Sequence, residues 1–167
     1  SARILESMSK VLSEYQPDIV LVHGDTTTSS MAALACFYRR IPLGHVEAGL
    51  RTGNLWSPWP EEFNRRLTAL VAHLHFAPTE SAESNLIAEG VPSHSIEVTG
   101  NTVIDALIQI SGRLTRDEAL CSPLRAHFPF LKNDRRTILV TGHRRENFGS
   151  GMLQICNGLL SLSDRED

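Results

Sequence analysis

The chain has 167 residues, 16 basic against 19 acidic side chains and a net charge of −3, with 41% hydrophobic and 21% charged residues. This is the composition of a globular protein with a sizeable core, and its slightly acidic balance excludes nucleic-acid binding through a basic surface. No apolar run approaches the ~20 residues of a membrane helix, no leader pattern is present, and Cys36, Cys121 and Cys156 stand far apart without a C-x-x-C pair, so they read as reduced thiols of a cytoplasmic protein.

In chain order, Ile4, Leu5, Met8, Val11, Leu12 and Tyr15 recur at helical spacing, which predicts an amphipathic helix stopped by Pro17. Ile19 to Val22 is a continuous apolar run, the pattern of a strand buried on both faces of a parallel sheet. Met31 to Tyr38 reads as a buried helix with Arg39 and Arg40 in its last turn. The alternation repeats: strand Leu43 to Val46, helix Pro60 to Val71, strand His73 to Ala77, helix Thr79 to Glu89, strand Ile96 to Val98 and helix Thr102 to Leu114. A Pro-dotted stretch, Cys121 to Asn133, then precedes a strand at Thr137 to Thr141 and a helix at Gly151 to Leu162. Strict strand–helix alternation predicts an α/β fold with parallel sheets. A domain boundary is expected near Gly100. Ser1 opens inside a helical pattern and Asp167 comes just after another one has begun, so both ends read as internal to a longer chain.

Ligands of open α/β sheets bind at the carboxyl ends of the strands, and here those ends are loaded with polar groups. The first strand runs into His23-Gly24-Asp25-Thr26-Thr27-Thr28-Ser29-Ser30, where hydroxyls at a helix start can cap it or hold an anion. A lone Asp25 here is as readily a cap as an acid. The second strand runs into His45-Val46-Glu47-Ala48-Gly49-Leu50-Arg51. Alternation places His45 and Glu47 on one face, and Arg51 is the plain candidate to neutralise Glu47.

The loop Trp56-Ser57-Pro58-Trp59-Pro60 leads into Glu61 and Glu62, which are spaced to pair with Arg65 and Arg66 at i,i+4. Its two Trp and two Pro suggest a rigid flap. Gly142-His143-Arg144-Arg145 between a strand and a helix is a plausible phosphate cradle, or simply a solvated basic turn. His73 and His75 share a strand face without a third ligand nearby, so no metal is expected.

Together these blocks are similar to the bacterial non-hydrolysing UDP-N-acetylglucosamine 2-epimerases: HGDTTTS (23–29), GHVEAGLRTG (44–53), SPWPEEFNRR (57–66), FAPTE (76–80), VTGNTVIDAL (98–107) and VTGHRREN (140–147). The resemblance implies a GT-B-type architecture of two Rossmann-like domains, with residues 1–100 the later part of the first and 101–167 the start of the second, UDP-binding one. It implies interconversion of UDP-GlcNAc and UDP-ManNAc by elimination and re-addition of UDP through a 2-acetamidoglucal, supplying ManNAc for cell-surface polysaccharide. On this reading Asp25, Glu47, Glu61 and His143 are catalytic, the three carboxylates as acid/base groups and His143 on the nucleotide side; Asp25, Glu47, His143 and Arg144 bind substrate, no metal or redox cofactor is required, and the full-length enzyme is a homodimer.

The family's N-terminal G-T-R-P-E-type loop and its C-terminal S-G-G loop have no counterpart here, so the chain reads as the middle of the enzyme. Two other functions stay open at this point. One is enzymatic, a hydrolysing relative or a GT-B glycosyltransferase; the other is a non-catalytic nucleotide-sugar-binding module.

Overall fold

The computed structural model describes residues 1–132, 137–142 and 148–163. These form two compact units, Ser1–Ile110 and Ser111–Asp167, the division falling inside a helix. The first unit holds a parallel four-stranded sheet: β1 (Val20–His23), β2 (Leu43–Val46), β3 (Leu74–Ala77) and β4 (Ile96–Val98), lying in the order of the chain. The pairs Val22↔His45 and His45↔His75 fix the register of the first three strands.

Helices α1 (Ala2–Tyr15), α2 (Thr27–Arg39), α3 (Glu61–Val71) and α4 (Glu80–Ala88) flank the sheet. Their ends obey local chemistry. Gln16 turns left-handed after α1 and returns its N–H to the Leu12 carbonyl, with Pro17 next in line. Thr26 caps α2 by accepting the Ser29 N–H at 3.2 Å, and Thr79 caps α4 by accepting that of Ala82 at 3.2 Å.

Two apolar clusters sit under the sheet. One joins Leu12 and Val22 to Ala32, Ala33, Ala35, Cys36 and Leu43. The other joins Ala48, Ala69, Ala77 and Ala82 to Leu86 and Ile96. The run of alanines lets α2 approach the strands closely, and this is why its buried face carries small side chains. The expected α/β fold with a parallel sheet is therefore present in this unit.

Helix α5 (Thr102–Arg116) leads into the second unit, which contains α6 (Glu118–His127), a 3-10 turn at Pro129–Lys132 and α7 (Ser150–Ser163). The Pro-dotted stretch proves partly helical, and one expected strand is missing. The stretch from Cys121 largely folds as α6, started by Asp117, whose side chain accepts the Leu120 N–H at 3.1 Å and holds the helix despite Pro123. Thr137 to Thr141 forms no strand. A strand needs a ladder partner, and none lies beside it among the described residues, leaving Ile138 and Leu139 exposed.

Candidate active site

The site is the carboxyl edge of β1 and β2, closed on one side by the start of α3. Asp25 comes one tight turn after β1. Gly24 has φ +68°, a conformation glycine adopts without strain, and its N–H is bonded to the Val46 carbonyl across the sheet at 3.0 Å. Asp25 does not cap α2, because Thr26 does. Its carboxylate is instead ion-paired to Arg65 of α3, and its carbonyl accepts the Asn64 side-chain N–H at 2.9 Å. Buried Asn64 also receives the Ser30 hydroxyl at 3.1 Å, so α3 grips the β1–α2 turn through two successive residues. Of the hydroxyls in this turn, Thr26, Ser29 and Ser30 are used internally, which favours a structural role for these three.

Glu47 lies just past β2 with φ +66°, an uncommon conformation for a residue with a Cβ, costing roughly 1–2 kcal/mol. Strand alternation does not reach it. His45 is wholly buried on the covered face with Val22, while the Glu47 carboxylate stands at the edge, 27% exposed, with Oε2 3.9 Å from His23 Nε2. Close packing two residues later leaves the turn no other course: a Cβ on Gly49 would sit 2.2 Å from the Ala82 carbonyl oxygen. The Asn85 amide of α4 secures the same turn by donating to the Gly49 carbonyl at 2.9 Å.

Arg51 does not neutralise Glu47. It points away, forking onto Glu89 at the end of α4 at 2.8 and 2.6 Å. Arg51 holds the Glu89 carboxyl below its ordinary range. This partner was beyond sequence reasoning because the two residues are far apart in the chain.

The adjacent acids of α3 have opposite environments. Glu62 is fully buried. Its Oε2 accepts the Thr52 N–H at 3.1 Å and its Oε1 the Arg66 Nε–H at 3.1 Å, with Arg65 Nη1 3.6 Å away. Burial pushes its carboxyl pKa up, but the Thr52 hydrogen bond and the two guanidiniums outweigh that and hold it below the ordinary value. Glu61, by contrast, makes no ion pair or side-chain hydrogen bond among the described residues, so the expected Glu61–Arg65 pair is absent while Glu62–Arg66 is present. Helical spacing puts Glu61 on the same face of α3 as Asn64 and Arg65, the residues that hold Asp25.

Beneath the edge lie two buried histidines on paired strands. His45 donates its Nε2–H to the Gly24 carbonyl at 2.9 Å, which fixes its neutral tautomer. Burial lowers its pKa from 6.5 to about 4 and lowers that of His75 as well. His73 Nδ1 accepts the Leu43 N–H at 3.4 Å. Among the described residues no group of His, Cys, Asp or Glu is arranged to hold a metal. His143 and Arg144, the expected nucleotide-side residues, lie outside the described residues.

With this geometry in place, comparison with known proteins is decisive. The family profile described as UDP-N-acetylglucosamine 2-epimerase matches residues 1–167. The chain belongs to the UDP-N-acetylglucosamine 2-epimerase family. A curated member from Salmonella typhimurium is 54% identical over 163 residues, spanning 98% of this chain and 43% of that protein. The crystal structure of the UDP-GlcNAc 2-epimerase from Neisseria meningitidis bound to UDP-GlcNAc is similar with a TM-score of 0.94 at 49% identity, covering 99% of this chain and 44% of the other. The Methanocaldococcus jannaschii epimerase in complex with UDP-GlcNAc and UDP gives 0.82 at 37% identity, covering 96% and 42%. The chain thus spans less than half the length of the epimerases it matches. The family expected from the six sequence blocks is the family found. No helix among the described residues is long and apolar enough to cross a membrane.

Proposed function

We propose that this chain carries the acid/base half of a non-hydrolysing UDP-GlcNAc 2-epimerase acting between UDP-GlcNAc and UDP-ManNAc. The supporting observation is that Asp25 and Glu47 end adjacent strands while Glu61 begins the helix that grips Asp25, in a chain matched end to end by the epimerase family.

The chemistry asks for several carboxyl groups. A base removes the C2 proton of the sugar, the C1–O bond to UDP breaks, and a C1–C2 double bond forms in a 2-acetamidoglucal. UDP then returns to C1 as a proton is delivered to the opposite face of C2. Inversion at C2 requires proton-transfer groups on both faces of the ring, one ionised while the other is protonated. Asp25, Glu47 and Glu61 are assigned these roles. Neither step changes the oxidation state of the substrate overall, so no redox cofactor is invoked. His143 and Arg144 are assigned to the diphosphate, whose developing charge they would stabilise on departure.

In the full-length protein we place residues 1–100 in the first Rossmann-like domain of a GT-B-type pair and 101–167 at the start of the second. The assembly is a cytoplasmic homodimer that supplies ManNAc for polysaccharide. Incubating the full-length protein with UDP-GlcNAc tests the reading: UDP-ManNAc as product supports it. Free ManNAc with UDP would assign a hydrolysing enzyme instead, and absence of turnover a binding module.

A further inference from the structure

Glu62 is an ionised carboxylate sealed from solvent, yet it is not placed to meet substrate. Its contacts explain what it does. Oε2 receives the N–H of Thr52, the residue that opens the Trp56–Trp59 loop, and stands 3.6 Å from Nη1 of Arg65. The other nitrogen of the same guanidinium, Nη2, is on Asp25. Arg65 is only 12% exposed and, among the described residues, its Nε has no hydrogen-bond partner and its head pairs with these two carboxylates, which hold its plane in position. Thr52 in turn donates its hydroxyl to the Ser57 carbonyl at 2.6 Å, closing the loop on itself. Glu62 therefore touches both a group that orients Asp25 and the loop that leads to Glu61.

We propose that Glu62 is a positioning residue for the reaction: its buried carboxylate anchors Arg65 against Asp25 and pins the Thr52 end of the loop. The proposal rests on the assignment of Asp25 as a site acid. A planar guanidinium bridging two carboxylates transmits position in a way that a lysine, with a single nitrogen, does not. Loss of the Glu62 charge leaves Arg65 tethered at one end only. The misplacement of a reacting group by about 1 Å is enough to lower turnover by about 100-fold.

The test uses the full-length enzyme with Glu62→Gln, Arg65→Lys and the double variant, measuring kcat and KM for UDP-GlcNAc and confirming folding by circular dichroism. Glutamine keeps an acceptor for Thr52 but not the charge. The expected result is a fall of about 10- to 100-fold in kcat for each single variant with KM changed less than about 3-fold. The double variant should be no worse than Arg65→Lys by more than about 2-fold, because both substitutions break one chain of contacts. Wild-type kcat in folded Glu62→Gln, or multiplying losses in the double variant, overturns the proposal. Should Glu62→Gln not fold, Arg65→Lys decides alone: an unchanged kcat overturns it. A wild-type enzyme without epimerase activity would instead overturn the functional reading on which the proposal stands.

Discussion

A Cβ added to Gly24 would stand 3.3 Å from Oε2 of Glu47. The turn that presents Asp25 is thus also the floor on which the Glu47 carboxylate rests, and both residues hold left-handed backbone, at +68° and +66°. Gly24→Ala therefore meets two obstacles at once, backbone strain and a contact tighter than an ordinary one. The expected outcome is a loss of roughly 1–2 kcal/mol of stability, read by urea unfolding, together with at least ~10-fold lower turnover as Glu47 is displaced. A stable variant with full activity would show that the Glu47 carboxylate does not depend on this turn.

Glu61→Gln separates the two acids of α3. Because Glu61 has no ion pair to lose among the described residues, the variant is expected to unfold at the wild-type urea midpoint while turnover falls by at least ~100-fold, the scale of general acid–base catalysis. Turnover near the wild-type level would leave Glu61 as a helix-start residue only.

Acid sensitivity originates in the buried histidines. His45 is neutral in the fold, with a pKa lowered from 6.5 to about 4 by burial, so the unfolded chain binds the extra proton first as pH falls. Its contribution is fully present above about 6.5 and is lost as pH falls from there to about 4, amounting to roughly 3 kcal/mol. His75 acts in the same direction. Glu62, with its carboxyl pKa lowered, adds its own loss below the ordinary carboxylate value of 4.5. Unfolding free energies at pH 7 and pH 5 should differ clearly in the wild type and less in His45→Gln. An equal slope in the two proteins would rule out His45 as the source.

Arg51→Lys probes the clamp at the other end of the same segment. Lysine keeps the charge but cannot fork onto both Glu89 oxygens. Arg51 is 7% exposed and Glu89 36%, so solvent screens the pair in part and the expected cost is about 1–2 kcal/mol by urea unfolding. A midpoint equal to wild type would mean that the forked geometry contributes nothing.

What the sequence revealed and what it hid divide by distance along the chain. The four strands of the first unit are legible because strands of a parallel sheet are continuous apolar runs, and the helices because their caps and apolar spacing are local. The pairing of Glu62 with Arg66 is local too. Arg65 with Asp25, and Arg51 with Glu89, are not; one residue cannot announce a partner some forty positions away. Alternation could not place Glu47 relative to His45, because it assumes extended backbone and Glu47 leaves it. Pro123 hid α6, although Asp117 before Glu118 is an ordinary start signal. The blocks that carried the family resemblance suffered none of this, since they are read as strings and not as folds.

Strands β1 to β4 lie side by side in the order in which the chain supplies them, each pairing with the one before it. None of β2, β3 and β4 has to insert between strands already paired, and the helical crossovers between them cost closure entropy that grows only slowly with their length. The three acids come from the ends of β1 and β2 and the start of α3, but the turn that carries Glu47 closes only with β3 and α4 in place, since the Ala48 N–H bonds the Phe76 carbonyl at 3.0 Å and Asn85 holds the Gly49 carbonyl at 2.9 Å. The later elements therefore complete the shape of the site as well as supporting it.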